Sequence, residues 1–90
     1  MPNPRNIIGP KVSEIRNRHG WSQEQLAAKC QMAGWDITRS IIAAVEGRVR
    51  WVGDFEMVLL AQVLQVDAKE LLPARVDWQK LKTALKPKSG

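Results

Sequence analysis

Trp21-Ser22-Gln23-Glu24-Gln25-Leu26-Ala27-Ala28-Lys29-Cys30 and, a few residues later, Ile37-Thr38-Arg39-Ser40-Ile41-Ile42-Ala43-Ala44-Val45-Glu46-Gly47 decide the fold. Ser22 and Gln25 form a capping box: the serine hydroxyl accepts from the backbone N–H three residues on, and Gln25 reaches back. Leu26, Ala27 and Cys30 then share one helical face, and Gly34 is a natural stop. Trp35, Asp36 and Ile37 make a connection. Thr38 is a good N-cap for a second such helix, with Ile42 and Val45 as its buried positions and Glu46-Gly47 as its end.

Outward from this pair the chain continues as short helices. Upstream, a first helix begins near Ile8-Gly9-Pro10, with proline acceptable in the first turn. It carries Val12 and Ile15 on one face and stops at Gly20. Downstream, Asp54 is read as the cap of a helix running through Phe55, Val58, Ala61 and Leu64. Asp67 and Glu70 supply another capping box for a fifth helix, which ends on Leu71-Leu72 before Pro73. A sixth stretch, Asp77 to Leu85, places Trp78, Leu81 and Leu85 on one stripe. Strand-like alternation is absent. The expected fold is all-α: a compact five-helix bundle over residues 1–72, with a basic C-terminal extension over 73–90 bearing one short amphipathic helix.

Composition narrows the function. The 90 residues suit one domain, and their single cysteine excludes an internal disulfide framework or a cysteine-based structural zinc site. No apolar run approaches the ~18 residues of a membrane span, and the first residues lack a signal-peptide core. One histidine, one cysteine and no tyrosine leave little for acid–base or nucleophilic chemistry. His19 reads as a residue tolerated at a helix C-terminus, and Cys30 as a small core residue. Neither an enzyme nor a metal or cofactor is implied. The net charge of +5 favours a polyanionic partner. Yet residues 1–72 hold nine basic against eight acidic side chains, and the excess lies in 73–90, on Arg75, Lys80, Lys82, Lys86 and Lys88. Charge alone does not establish DNA binding.

The paired capped helices do suggest a helix-turn-helix, whose first helix crosses the DNA backbone and whose second enters the major groove. The full order of signals runs from Ile8-Gly9 and Ile15-Arg16 through Gly20 to Ala27, then Ile37 to Ile42 with Val45-Glu46. It continues through Val52-Gly53-Asp54-Phe55-Glu56, Leu60-Ala61 and Leu64-Gln65-Val66-Asp67. Over roughly residues 8–72 this resembles the Xre/Cro family of phage-repressor-type DNA-binding domains.

The resemblance implies operator binding and transcriptional regulation. It implies base reading by Arg39, Ser40, Ala43 and Ala44, where arginine recognises guanine and alanine offers only close approach or a thymine-methyl contact. It implies DNA-backbone contacts from Gln23, Thr38, Arg48, Arg50 and Trp51. Arg16 and Glu46 match a partly buried structural ion pair of the family. Three departures stand out. The turn after the second helix is about five residues long beyond the usual, and Trp35 is read as plugging the gap. Arg48 occupies a position where a glycine is expected, so the loop geometry is expected to shift. The reading surface is poor in polar side chains.

The expected partner is double-stranded DNA, read by a cytoplasmic homodimer of bacterial or phage origin, with no membrane involvement. The stripe Trp78, Leu81 and Leu85 is the candidate dimer or packing surface, and 73–90 is also a candidate site for a protein partner. Two rival readings remain: an antitoxin-like or anti-repressor interaction module on the same fold, and a non-specific binder acting through the basic extension.

Overall fold

A computed structural model describes Asn3 and residues 5–73 of the chain; the extension with its Trp78, Leu81 and Leu85 stripe lies outside the described residues. Four α-helices form, α1 (Gly9–Arg18), α2 (Gln23–Met32), α3 (Arg39–Glu46) and α4 (Asp54–Leu64), followed by a 3-10 turn at Ala68–Leu71. The expectation of five helices is thus corrected to four plus one turn. Asp67 and Glu70 do make part of the expected box, with the Asp67 N–H donating to Glu70 Oε2 at 3.0 Å. But Leu72 precedes a proline and is driven to the extended region (φ −78°, ψ 145°). Only four residues fit between those two constraints, too few for an α-helix. The start of α4 also moves: Gly53 is its N-cap, and Asp54 is its first helical residue.

The core is built from Val12 and Ile15 of α1, Leu26, Ala27 and Cys30 of α2, Ile42 and Val45 of α3, and Leu60, Ala61 and Leu64 of α4. Ile8, Ile37 and Leu71 complete it from the connections. Fully burying a Leu, Ile or Val side chain contributes ~1.5–3 kcal/mol, so this cluster dominates stability. Cys30 is one of its fully buried members, and burial pushes its thiol up to about 11. The thiol is packing, not chemistry. Trp35 packs partly buried against the same cluster, and Gln31 Nε2 donates to the Ile37 carbonyl at 2.7 Å, closing the long turn after α2. On α4, Phe55 is 84% exposed and Val58 47% exposed, so the buried face is carried by Leu60, Ala61 and Leu64 instead.

All four helices close with the same device. After each, one residue turns left-handed, and the next N–H reaches back to a carbonyl five residues earlier. Trp21 donates to Arg16, Trp35 to Cys30, Val49 to Ala44, and Val66 to Ala61. The left-handed residues are Gly20 (φ 76°), Gly34 (φ 100°), Arg48 (φ 59°) and Gln65 (φ 63°). Gly47 keeps an ordinary φ of −83°. The loop after α3 therefore retains its closure despite the misplaced glycine, because Arg48 accepts a conformation that costs an L-residue ~1–2 kcal/mol. The closure after α3 matches that of the other three helices.

Candidate nucleic-acid interface

Thr38 fixes the start of α3: its hydroxyl accepts from the Ile41 N–H at 3.3 Å. Ile42 and Val45 then face the core, which leaves Arg39 and Ser40 exposed and Ala43 and Ala44 half-buried on the outer side. Helical spacing aligns Arg39 with Ala43 and Ser40 with Ala44. Among the described residues, Arg39 takes part in no ion pair. Its guanidinium stands at the N-terminal end of α3, the end that approaches base edges when such a helix lies in a major groove.

Behind this surface, Arg16 and Glu46 join α1 to α3. Arg16 Nε lies 2.6 Å from Glu46 Oε2, and Nη2 donates to Oε1 at 3.1 Å. Arg16 Nη1 donates to the Trp21 carbonyl at 2.6 Å and to Asn17 Oδ1 at 3.2 Å. The two side chains are only 11% and 6% exposed. The hydrogen bonds to Glu46 hold the Arg16 guanidinium above its ordinary pKa, so it stays charged at every accessible pH. Gln23 joins this network, its Nε2 donating to Glu46 Oε1 at 3.0 Å. The carboxamide read as a phosphate holder is therefore engaged inward, binding α2 to α3. At the start of α2 the Gln25 N–H is taken by the Ser22 hydroxyl, and the N–H groups of Gln23 and Glu24, which a helix leaves without an internal partner, are what remains of that assignment.

The loop arginines are engaged in the same way. Arg50 forms a bidentate fork on Glu56, Nη1 to Oε1 at 2.8 Å and Nη2 to Oε2 at 2.9 Å. Glu56 also accepts from the Gly53 N–H at 3.2 Å, so the pair caps α4. Arg48 donates from Nε to the Asn6 carbonyl at 2.7 Å. Both arginines shape the loop before they offer charge to a phosphate. Trp51 is 51% exposed, with its indole laid against Gly53, where an added Cβ would sit 3.0 Å from Cη2.

The fork has a pH signature. Its hydrogen bonds from Arg50 hold the Glu56 carboxyl below its ordinary range. The contribution to stability is complete above the unfolded carboxyl's pKa of ~4.3, and it is lost as pH falls through the lower, folded value. Glu56→Gln is expected to cost under about 1 kcal/mol at neutral pH, since the pair is partly exposed. It should also flatten the fall in urea midpoint below pH ~4. An unchanged acid limb would show that the fork does not form in solution.

Asn6 is the residue that sequence reasoning missed. It is the one wholly buried polar side chain among the described residues. Its Nδ2 donates to the Val45 carbonyl at 2.8 Å and to the Arg50 carbonyl at 3.0 Å, and its Oδ1 accepts from the Gly9 N–H at 3.0 Å. One side chain thus caps α1 and clamps it to the end of α3. Gly9 is required beside it, because a Cβ there would meet the Val45 carbonyl oxygen at 2.3 Å.

With this geometry in place, the comparisons with known proteins fall into line. The family model described as Helix-turn-helix matches residues 12–71. The solved structure of a hypothetical transcription factor, NHTF, from Neisseria is similar at 27% identity and a TM-score of 0.66. That match covers 92% of this chain and 91% of that one. No curated protein matches the sequence. No helix among the described residues is long and apolar enough to cross a membrane. The matched span takes in all of α2, α3 and α4, together with the Arg16–Glu46 pair, and the chain therefore belongs to the helix-turn-helix family of Xre/Cro type, a non-enzymatic DNA-binding family.

Proposed function

We propose that the protein is a sequence-specific transcriptional regulator of bacterial or phage origin, acting in the cytoplasm on an inverted-repeat operator as a homodimer. The observation that carries this reading is α3 itself. It is capped by Thr38, anchored by Ile42 and Val45, and presents an exposed Arg39 without an ion-pair partner among the described residues. Arg39 and Ser40 reach base edges. Ala43 and Ala44 permit close approach and contact with thymine methyl groups. The opening N–H groups of α2 at Gln23, together with Thr38 and Trp51, lie along the phosphates, while Arg48 and Arg50 hold the loop in shape.

A single recognition helix covers few base pairs, so discrimination needs two half-sites ~34–36 Å apart and two copies of the protein. Selection of bound duplexes from a random pool tests the whole reading. The expected product is a consensus of two inverted half-sites, and Arg39→Ala is expected to relax one position in each at a cost of ~1–3 kcal/mol. If Arg39→Ala alters neither affinity nor preference, α3 is not the reader.

A second reading, the antitoxin-like or anti-repressor module, is favoured by one observation. Phe55 and Val58 leave an apolar patch on α4, and such patches serve protein contacts. A selection that retains no duplex supports that reading instead, whereas duplexes retained without a consensus support the non-specific binder.

A further inference from the structure

We propose that the segment before α1 is a second DNA-contacting element, in which Arg5 takes a backbone phosphate beside the loop that follows α3. The inference rests on the DNA-binding reading and deepens it by naming a contact outside the matched family span.

Arg48 and Arg50 are engaged internally, by the Asn6 carbonyl and by Glu56. Arg5 is exposed, and among the described residues its side chain forms no ion pair. Its backbone is held on both sides. Its N–H donates to Asn3 Oδ1 at 2.9 Å, and its carbonyl accepts from the Val52 N–H at 3.4 Å. Asn3 in turn donates its N–H to the Arg48 carbonyl, and the neighbouring Asn6 is locked by three side-chain hydrogen bonds. The segment is therefore fixed against the 48–52 loop rather than trailing from the bundle.

A helix lying in the major groove leaves it at its C-terminal end, beside the phosphates that border the groove. The loop after α3 is at that end, and Arg5 is fastened to it. A cation whose backbone is already ordered loses less conformational freedom on binding than one on a loose tail. A phosphate contact positions the protein without reading sequence. Arg5 thus adds a cation with no ion-pair partner among the described residues beside Arg48, whose bond to a neutral carbonyl leaves its charge in place, while the charge of Arg50 is matched by Glu56.

The test compares the full chain with Arg5→Ala and Arg5→Lys, on a duplex selected from the random pool and on a scrambled one. For Arg5→Ala, affinity is expected to fall roughly three- to tenfold on both duplexes, and the slope of log affinity against log salt to shrink by about one. Arg5→Lys retains the slope, and neither variant shifts the melting temperature. An unchanged slope for Arg5→Ala, with the parent binding duplex normally, overturns the Arg5 contact alone. A parent that binds neither duplex overturns the DNA-binding reading, and this contact with it. A loss confined to the selected duplex also overturns the proposal, because it would make Arg5 a base reader.

Discussion

Asn6→Ala is expected to lower the free energy of unfolding by roughly 3–5 kcal/mol, a large part of the total for a chain this size. The variant orphans the Arg50 carbonyl and the Gly9 N–H, and it removes one donor from the Val45 carbonyl, which keeps the Arg48 N–H at 3.1 Å. Each such group costs ~1–3 kcal/mol when it is buried without a partner. At ~4–8 °C per kcal/mol the melting temperature should drop by about 12 °C or more. Asn6→Asp is the sharper probe: it keeps the acceptor for Gly9 but turns a carboxylate toward two carbonyl oxygens. It should be at least as damaging as alanine. Should both variants melt within a few degrees of the parent, the clamp between α1 and the end of α3 does not exist.

The second large effect is expected at Arg16. Arg16→Met leaves Glu46 nearly buried with Gln23 as its remaining side-chain donor, and it frees the Trp21 carbonyl. Breaking a buried pair on one side costs ~3–5 kcal/mol, and the surviving Gln23 contact puts the expectation at roughly 2–4 kcal/mol. Removing both charges in Arg16→Met/Glu46→Leu should recover much of that loss, because no isolated carboxylate then remains. Chemical denaturation of the four proteins in a double-mutant cycle measures the coupling directly. Sequence preference among the folded molecules should not change. Intact stability together with lost DNA binding would instead move Arg16 onto the interface.

What could be read in the sequence follows the range of the interactions. The caps at Ser22 and Thr38 were legible because each is a contact between residues three apart. The box at Asp67 and Glu70 was equally visible, but a box marks where a helix starts and not how far it runs. Pro73 set the length, and the expected fifth helix became a turn. Of the four apolar residues read along α4, Ala61 and Leu64 are buried while Phe55 and Val58 are exposed, and Leu60 completes the buried side.

The site was less legible, for a related reason. The family resemblance supplied the Arg16–Glu46 pair, whose partners are 30 residues apart. Nothing local announces that Asn6 will meet carbonyls 39 and 44 residues away. The arginines after α3 read as DNA-backbone contacts, and only the fold shows the Asn6 carbonyl beside Arg48 and Glu56 beside Arg50. Glu56 had a local signal, an acidic residue three places after a helix N-cap, that would have marked it as a capping partner.

Ala43 and Ala44 have a consequence for how such a protein diverges. Their methyl groups and the exposed Arg39 and Ser40 make up the outer side of α3, while Thr38, Ile42 and Val45 hold the helix in place. On the proposed reading, the positions that would choose a DNA sequence and the positions that keep the helix are separate sets within one eight-residue element. Mutational drift at the exposed 39 and 40 meets little resistance from the fold. On that reading, duplicated copies of this chain would acquire new operators most readily by substitutions at the exposed 39 and 40, with melting temperature a brake only at the half-buried 43 and 44.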